Sequence, residues 1–68
     1  MLEYKISSEY IELVKLIKVM GFAPTGGHAK IMIESGEIIR NGKPELRKRA
    51  KLKPGDSIYV EGEKITIK

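Results

Sequence analysis

The segment at residues 24–36 restricts the fold most, because it carries helix signals at both of its ends. Thr25 is a preferred N-cap residue, whose hydroxyl oxygen accepts a hydrogen bond from an unpaired N–H group of the first turn. Gly36 stands where many helices end in a left-handed residue. Between these ends, three apolar residues follow the i, i+3, i+4 spacing of one helical face: Ala29, Met32 and Ile33. The segment therefore predicts a surface helix that docks by one face.

Two glycines begin this predicted helix, although glycine is about 1 kcal/mol less favourable than alanine inside a helix. Because Gly26 and Gly27 have no side chains, a phosphate group would reach the free N–H groups and the positive end of the helix dipole, with Lys30 nearby. The same glycines would also suit a tight bend after Pro24. On these residues alone, both interpretations stay open.

The length and composition limit the class of protein. A chain of 68 residues buries only about 60% of its unfolded surface, so we expect one domain, residues 1–68, with a small core. The absence of cysteine excludes disulfides and cysteine-based zinc sites. No apolar run approaches the roughly 18 residues that span a bilayer, and the first residues lack the pattern of a signal peptide. We therefore expect a cytoplasmic protein that does not contact a membrane.

Positive charge is concentrated in one part of the chain. The formal net charge is +4, but residues 40–53, hereafter the basic segment, contain seven cations and one acid, which give +6. The six cations and eight acids elsewhere give −2. The seven cations of the basic segment are Arg40, Lys43, Arg47, Lys48, Arg49, Lys51 and Lys53. Such a patch on a near-neutral body favours a polyanion site over a merely solvated sheet edge.

Apolar periodicity in the first half of the chain predicts a strand and a helix pair. Residues 2–6 alternate apolar and polar side chains, as in a half-buried edge strand. Ser7 or Ser8 is expected to cap a core helix that runs to Met20 and ends at Gly21. The predicted apolar face of this helix is Tyr10, Leu13, Val14, Ile17 and Met20. Since only about four residues separate the two helices, we expect a tight, helix-turn-helix-like pair.

The second half of the chain predicts a small antiparallel sheet, and hence an α+β fold. Asn41-Gly42 is the strongest short hairpin signal, and Pro44 restricts the returning strand to an edge. Cations and apolar residues alternate through residues 46–53, which favours an extended chain, although helical spacing also fits. Two further strands within residues 58–67 reverse at a glycine.

No set of residues predicts catalysis or metal binding. His28 is the only histidine, and the acidic residues lack the spacing of a carboxylate pair or a metal site. No phosphate loop ending in Gly-Lys-Ser/Thr is present. We therefore expect no enzymatic activity, cofactor, metal or small-molecule substrate. His28 is expected either to donate to a bound phosphate or stack on a base, or to be an ordinary exposed polar residue.

Four motifs occur in order within residues 11–67: Thr25-Gly26-Gly27-His28-Ala29-Lys30, Ile38-Ile39-Arg40-Asn41-Gly42, Arg47-Lys48-Arg49 and Leu52-Lys53-Pro54-Gly55-Asp56. Together they resemble the S4-like RNA-binding domain, which is named after a small-subunit ribosomal protein. The resemblance implies two packed helices followed by a small antiparallel sheet, the alpha-L motif. It also implies that structured RNA binds along the N-terminus of the second helix and the basic loop that follows.

The resemblance and the position of His28 give the expected RNA-binding residues. They are Thr25, Gly26, Gly27, His28, Lys30, Arg40, Lys43, Arg47, Lys48, Arg49 and Lys51. Relatives often carry Glu or Gln where this chain has His28, so Thr25 lacks a capping-box partner here.

These observations predict a non-catalytic module that binds structured RNA, either ribosomal RNA or tRNA, mainly by shape and through phosphate contacts. The ribosomal particle is a further expected partner. Two alternatives stay open. A helix pair with a basic patch would also suit a DNA-binding protein, and the same surface would suit a protein-interaction module on the ribosome.

Overall fold

The computed structural model describes residues 2–68 and has the predicted α+β fold. Its helices are α1, Leu13–Val19, and α2, Gly26–Glu34. Its strands are β1 Leu2–Tyr4, β2 Ile11–Glu12, β3 Ile39–Arg40, β4 Lys43–Pro44, β5 Lys51–Leu52, β6 Ser57–Val60 and β7 Glu63–Ile67. Within these described residues, neither helix has the length and apolar character needed to cross a membrane.

Five strands form the main sheet in the order β1-β7-β6-β3-β4, while β2 and β5 form a separate antiparallel ladder. β1 lies at an edge as predicted, but it runs parallel to β7, with Tyr4 opposite Ile67. β4 forms the other edge, where Pro44 has no N–H group to donate. The predicted Asn41-Gly42 hairpin joins β3 to β4. The sheet is therefore antiparallel except for its first strand.

One cluster of buried apolar side chains joins the helices to the sheet. Its members from α1, α2, β6 and β7 include Leu13, Leu16, Ile17, Ala29, Met32, Ile33, Ile58, Val60, Ile65 and Ile67. The predicted apolar face of α2 is confirmed in full. The predicted face of α1 is only partly correct, because Leu16 is wholly buried and Tyr10, outside the helix, is 37% exposed.

The first helix begins later than the sequence predicts. The predicted caps at residues 7–8 lie outside it, and Leu13 is its first residue. The cause is tertiary, since β2 is held extended by its pairing with β5. The N–H group of Leu13 donates to the carbonyl of Ala50 at 3.0 Å, and that of Val14 donates to the carbonyl of Lys48 at 2.9 Å. Backbone carbonyls of the basic segment therefore take the place of a side-chain cap.

Both helices end at the predicted glycines. Gly21 has φ +86° after α1, and Gly36 has φ +84° after α2. The N–H group of Phe22 returns to the carbonyl of Ile17 at 3.0 Å, which completes the left-handed cap of α1. The chain then reaches α2 within a few residues, and the two helices pack against each other as predicted.

The basic segment is extended only in part, which corrects the prediction for residues 46–53. β5 covers Lys51–Leu52, but residues 45–50 form a loop that contains a turn. Ala50 and Leu52 are buried as predicted, whereas Leu46 is 57% exposed. The β2–β5 ladder is only two residues long, so it cannot impose alternation on the whole run. The bonds to the start of α1 determine the course of this loop instead.

Two hairpin turns each contain a non-glycine residue with a left-handed backbone conformation. Only one of these two residues tolerates that conformation well. Asn41 has φ +49° between β3 and β4, and Glu61 has φ +50° between β6 and β7. Asn tolerates this region, whereas most other residues lose roughly 1–2 kcal/mol there. The side chain of Asn41 also accepts from the N–H group of Ser57 at 2.9 Å and donates to Asp56 at 3.1 Å.

We expect Glu61→Asn to raise the free energy of unfolding by about 0.5–1 kcal/mol, because it relieves an unfavourable left-handed residue. Asn41→Glu should lower it by more than this, since it also removes the three hydrogen bonds of the Asn41 side chain. Urea unfolding of both variants measures the two effects. A destabilised Glu61→Asn variant would contradict the strain argument, and effects of equal size would contradict the role of the Asn41 side chain.

Candidate nucleic-acid interface

The N-terminus of α2 presents bare backbone. The Thr25 hydroxyl accepts from the N–H group of His28 at 3.1 Å, so the predicted N-cap is confirmed. The N–H groups of Gly26 and Gly27 make no hydrogen bond within residues 2–68. A Cβ atom at Gly26 would meet nothing within 4 Å, and one at Gly27 would meet only the Thr25 hydroxyl at 3.9 Å. Neither packing nor a positive φ therefore requires glycine at these two positions.

The start of α2 and the basic segment form the two sides of a cleft, which we call the helix cleft. Its lining is Glu12, Val14, Gly26, Gly27, Lys30, Lys48 and Arg49. The glycines and Lys30 come from α2, while Lys48 and Arg49 come from the basic segment. The bond from the N–H group of Val14 to the carbonyl of Lys48 fixes this approach. The structure thus brings five of the predicted RNA-binding residues together here.

A second cleft, which we call the arginine cleft, follows the basic segment. Its lining is Arg40, Arg47, Arg49, Ala50, Lys51, Lys53, Pro54 and Asp56. Five cations and one acid line it, and Lys53 is absent from the predicted site residues. Because Arg49 lines both clefts, they are contiguous. We call the two clefts together the basic surface.

Arg40 is held in an ion-pair network. Its guanidinium lies 3.3 Å from a carboxylate oxygen of Glu45 and 3.0 Å from one of Asp56. It also donates to the carbonyl of Lys51 at 2.9 Å. These contacts join β3 to residues on both sides of the loop at residues 45–50, so Arg40 positions the loop. Its direct contact with RNA stays a prediction.

Glu45, the one acid of the basic segment, also pairs with Arg47. The Nε atom of Arg47 donates to Glu45 at 3.1 Å, and its backbone N–H donates to the same carboxylate at 3.2 Å. The side-chain hydrogen bond from Arg47 lowers the pKa of Glu45, and partial burial only partly opposes this. The Arg47 side chain is 76% exposed and lines the arginine cleft, whereas the Glu45 side chain is 11% exposed and does not line it.

Asp56 fixes the far end of the basic segment. Its carboxylate accepts from the N–H group of Lys53 at 2.8 Å, from Asn41 at 3.1 Å and from Arg40 at 3.0 Å. Burial by itself raises the pKa of Asp56, but these three hydrogen bonds outweigh it and hold the pKa below its ordinary value. The carboxylate is therefore stabilised in its charged form.

The remaining predicted residues lie at other places. Lys43 is exposed on the edge strand β4, and His28 is exposed on the first turn of α2. Neither lines the helix cleft or the arginine cleft.

Lys51 lines the arginine cleft, and its Nζ atom lies 5.0 Å from the ring centroid of Tyr10. Within residues 2–68, no group of three His, Asp or Glu side chains is placed to hold a metal ion.

Two residues that orient the basic surface are missing from the predicted site. Glu45 had a usable sequence signal, because a single acid among seven cations is placed to pair with one of them. Asp56 stood out only as the residue after a Pro-Gly turn, at the end of the fourth motif, and its contact with Arg40 joins residues far apart in the chain. Sequence spacing therefore does not reveal it.

The helix pair, the small sheet and the loop that faces the second helix define a small α+β domain of the alpha-L type. The model of the S4 domain matches residues 4–68, and the chain belongs to this family. The family and fold implied by the sequence motifs are thus confirmed.

Two relatives give the family context. The chain is 33% identical over 58 residues to YbcJ of Escherichia coli, named a candidate RNA-binding protein, and the match covers 85% of this chain and 83% of YbcJ. It is 33% identical over 57 residues to RlbA of Bacillus subtilis, named a probable ribosome maturation protein, with 84% and 80% covered.

The solution structure of YbcJ from Escherichia coli is similar to this fold. It is described as revealing an alpha-L motif involved in RNA binding. Its TM-score is 0.73 at 29% sequence identity, over 98% of this chain and 86% of the YbcJ chain.

We expect acid to destabilise the fold through Glu45 and Asp56. Both pKa values are lowered on folding, so their contribution is present above the unfolded values near pH 4 and is lost as the pH falls through the lower folded values. Asp56→Asn should lower the free energy of unfolding at pH 7 by about 1–3 kcal/mol. Its difference from the native chain should then shrink below about pH 4. Urea unfolding between pH 2 and 7 tests this, and a difference independent of pH would contradict it.

Proposed function

We propose that this chain is a non-catalytic module that binds structured RNA, either ribosomal RNA or tRNA, on the basic surface. One observation carries the proposal. The N–H groups of Gly26 and Gly27 make no hydrogen bond within residues 2–68, and both glycines line the helix cleft together with Lys48 and Arg49. A helix N-terminus opposite two cations is a site for a phosphate group. The names of YbcJ and RlbA support RNA as the polyanion and the ribosome as its source.

The residues of the basic surface bind phosphate in different ways, according to their chemistry. The glycine N–H groups and the helix dipole bind one phosphate at close range. Lys30 and Lys48 act as point charges, and Arg49 has a planar guanidinium that binds two phosphate oxygens at once. The ion pairs of Arg40 hold the arginine cleft in place, so that it meets the backbone of a folded RNA by shape.

A salt titration of binding to a ribosomal RNA hairpin and to a tRNA tests this proposal. The cleft variant carries Lys30→Ala, Lys48→Ala and Arg49→Ala. If each side chain neutralises one phosphate, the slope of log K against log salt should fall by roughly 2–3. Unchanged slopes would show that the helix cleft does not contact the RNA backbone.

A charge-matched control separates local contacts from net charge. It carries Lys5→Ala, Lys18→Ala and Lys64→Ala, none of which lines either cleft. Its slope should change by less than about 1. Competition with duplex DNA of equal length completes the test, because equal binding of DNA would contradict a preference for RNA.

The two glycines of α2 give a separate prediction. Gly26→Ala with Gly27→Ala should raise the free energy of unfolding by roughly 0.5–1 kcal/mol per site, since neither site is crowded or strained. The same variant should bind RNA roughly tenfold more weakly, the value of about one hydrogen bond to a charged group.

The stability effect has an internal control. Gly36→Ala should be destabilising by about 1 kcal/mol or more, because Gly36 has φ +84°. Thermal unfolding and RNA affinity are measured for both variants. A stabilised double variant that binds RNA normally would show that the open backbone is not used for binding.

A further inference from the structure

A pocket beside the basic surface has a different chemistry, and we call it the tyrosine pocket. It lies between the chain that leaves β1 and the start of α1, and its volume is about 490 Å³. The lining that carries its chemistry is Tyr4, Ser7, Ser8, Tyr10, Glu12 and Lys15. This volume is within the roughly 300–1,000 Å³ of sites that hold small organic groups.

The lining of the tyrosine pocket suits a flat, neutral heterocycle better than a phosphate. One carboxylate and one ammonium group cancel in formal charge, so the pocket has no excess attraction for an anion. Tyr4 and Tyr10 both line the pocket; Tyr4 packs against the core, while Tyr10 is 37% exposed and has Lys51 over its ring, so the rest of the Tyr10 ring is the stacking surface. Ser7 and Ser8 add polar groups to the lining, and the hydroxyl of Ser8 donates to the carbonyl of Tyr10 at 2.9 Å.

The carboxylate of Glu12 is available as an acceptor. Glu12 occupies the N-cap position of α1, but its side chain makes no capping hydrogen bond. Within the described part of the chain, residues 2–68, it forms no ion pair or other hydrogen bond. The first turn of α1 uses carbonyls of the basic segment instead. The structure therefore leaves this carboxylate open to a ligand.

The tyrosine pocket meets the basic surface at two places. Glu12 lines both this pocket and the helix cleft. On the other side, the ring of Tyr10 lies 5.0 Å from the Nζ atom of Lys51, which lines the arginine cleft. An RNA backbone on the basic surface would thus pass the mouth of the pocket. A base that leaves the helical stack there would enter it.

We propose that the tyrosine pocket binds one unpaired base of the RNA, with guanine preferred, an inference that rests on the proposed function. Guanine presents two adjacent donors, N1–H and N2–H, that one carboxylate accepts together. Adenine, cytosine and uracil each present a single donor site on that edge. Structured RNA is commonly recognised through such splayed bases, stacked on aromatic rings and bound by their edges. Tyr10 provides the ring and Glu12 reads the edge.

Four hairpin RNAs that differ only in one bulged nucleotide, G, A, C or U, test the pocket with the full chain. The native protein should prefer the bulged G over each other base by about fivefold or more, as for one bidentate contact. Glu12→Gln should remove this preference. Loss of a negative charge alone would raise the affinity for all four RNAs equally, so the ratio distinguishes base reading from general electrostatics.

The ring of Tyr10 is tested by a matched series. Tyr10→Leu should weaken binding of the bulged-G hairpin roughly tenfold, the value of one stacked base. Its salt slope should stay native, which shows that the phosphate contacts persist. Tyr10→Phe keeps the ring and should bind normally. Tyr59→Leu, an exposed tyrosine on β6 outside the pocket, should also bind normally.

The outcomes separate the two proposals. Steep salt dependence with equal affinity for all four bulges, in native and Glu12→Gln protein alike, would overturn the base pocket and leave the RNA-binding function standing. No binding of any of these RNAs at about 50 mM salt, where phosphate contacts are strong, would overturn both. A preference for guanine that Glu12→Gln abolishes, together with loss on Tyr10→Leu, supports the pocket.

Discussion

Two backbone hydrogen bonds hold the basic segment against the helix pair, and the candidate site depends on them. The N–H groups of Leu13 and Val14 need partners at the start of α1, and they find the carbonyls of Ala50 and Lys48. The same two bonds bring the loop opposite the start of α2, where Gly26 is open. A helix end that would otherwise require a side-chain cap is thus completed by the segment that carries the charge. The start of α1 and the helix cleft therefore depend on the same two hydrogen bonds.

Glu45 and Asp56 determine which cations of the basic segment are paired and which face solvent. Seven like charges in fourteen residues repel one another, and Glu45 and Asp56 offset this by binding Arg40 from two sides. Hydrogen bonds to charged groups contribute about 1.5–3 kcal/mol where they are partly buried, which matters in a chain with a small core. Within residues 2–68, Lys48 forms no ion pair. The two acids of the network therefore stabilise the scaffold, and the helix cleft keeps its positive charge.

Local signals predicted the parts of the fold that local contacts determine. The Thr25 cap, the glycine ends of both helices and the Asn41-Gly42 turn depend on residues within five positions of each other, and all were correct. The predicted start of α1 and the predicted course of residues 45–50 were wrong, because hydrogen bonds between groups more than thirty residues apart determine both. The parallel pairing of β1 with β7 was not predicted, because it also joins residues far apart in the chain. Of the site, the cations were evident from composition, but their grouping into two clefts required the tertiary fold.

Under the proposed function, binding and stability make opposite demands on the first turn of α2. Neither Gly26 nor Gly27 is required by backbone conformation or by crowding, so a helix that served the fold alone would be more stable with alanine. A phosphate bound as proposed would contact the bare N–H groups of this turn, where alanine would add a methyl group beside each of them. Thr25 reduces the conflict, since its hydroxyl satisfies His28 from the side and leaves the two glycine N–H groups free. The cap and the glycines are thus complementary. Thr25 stabilises the first turn without occupying the N–H groups of the glycines. The glycines leave those groups accessible, and their cost in stability must be offset by the rest of the small core.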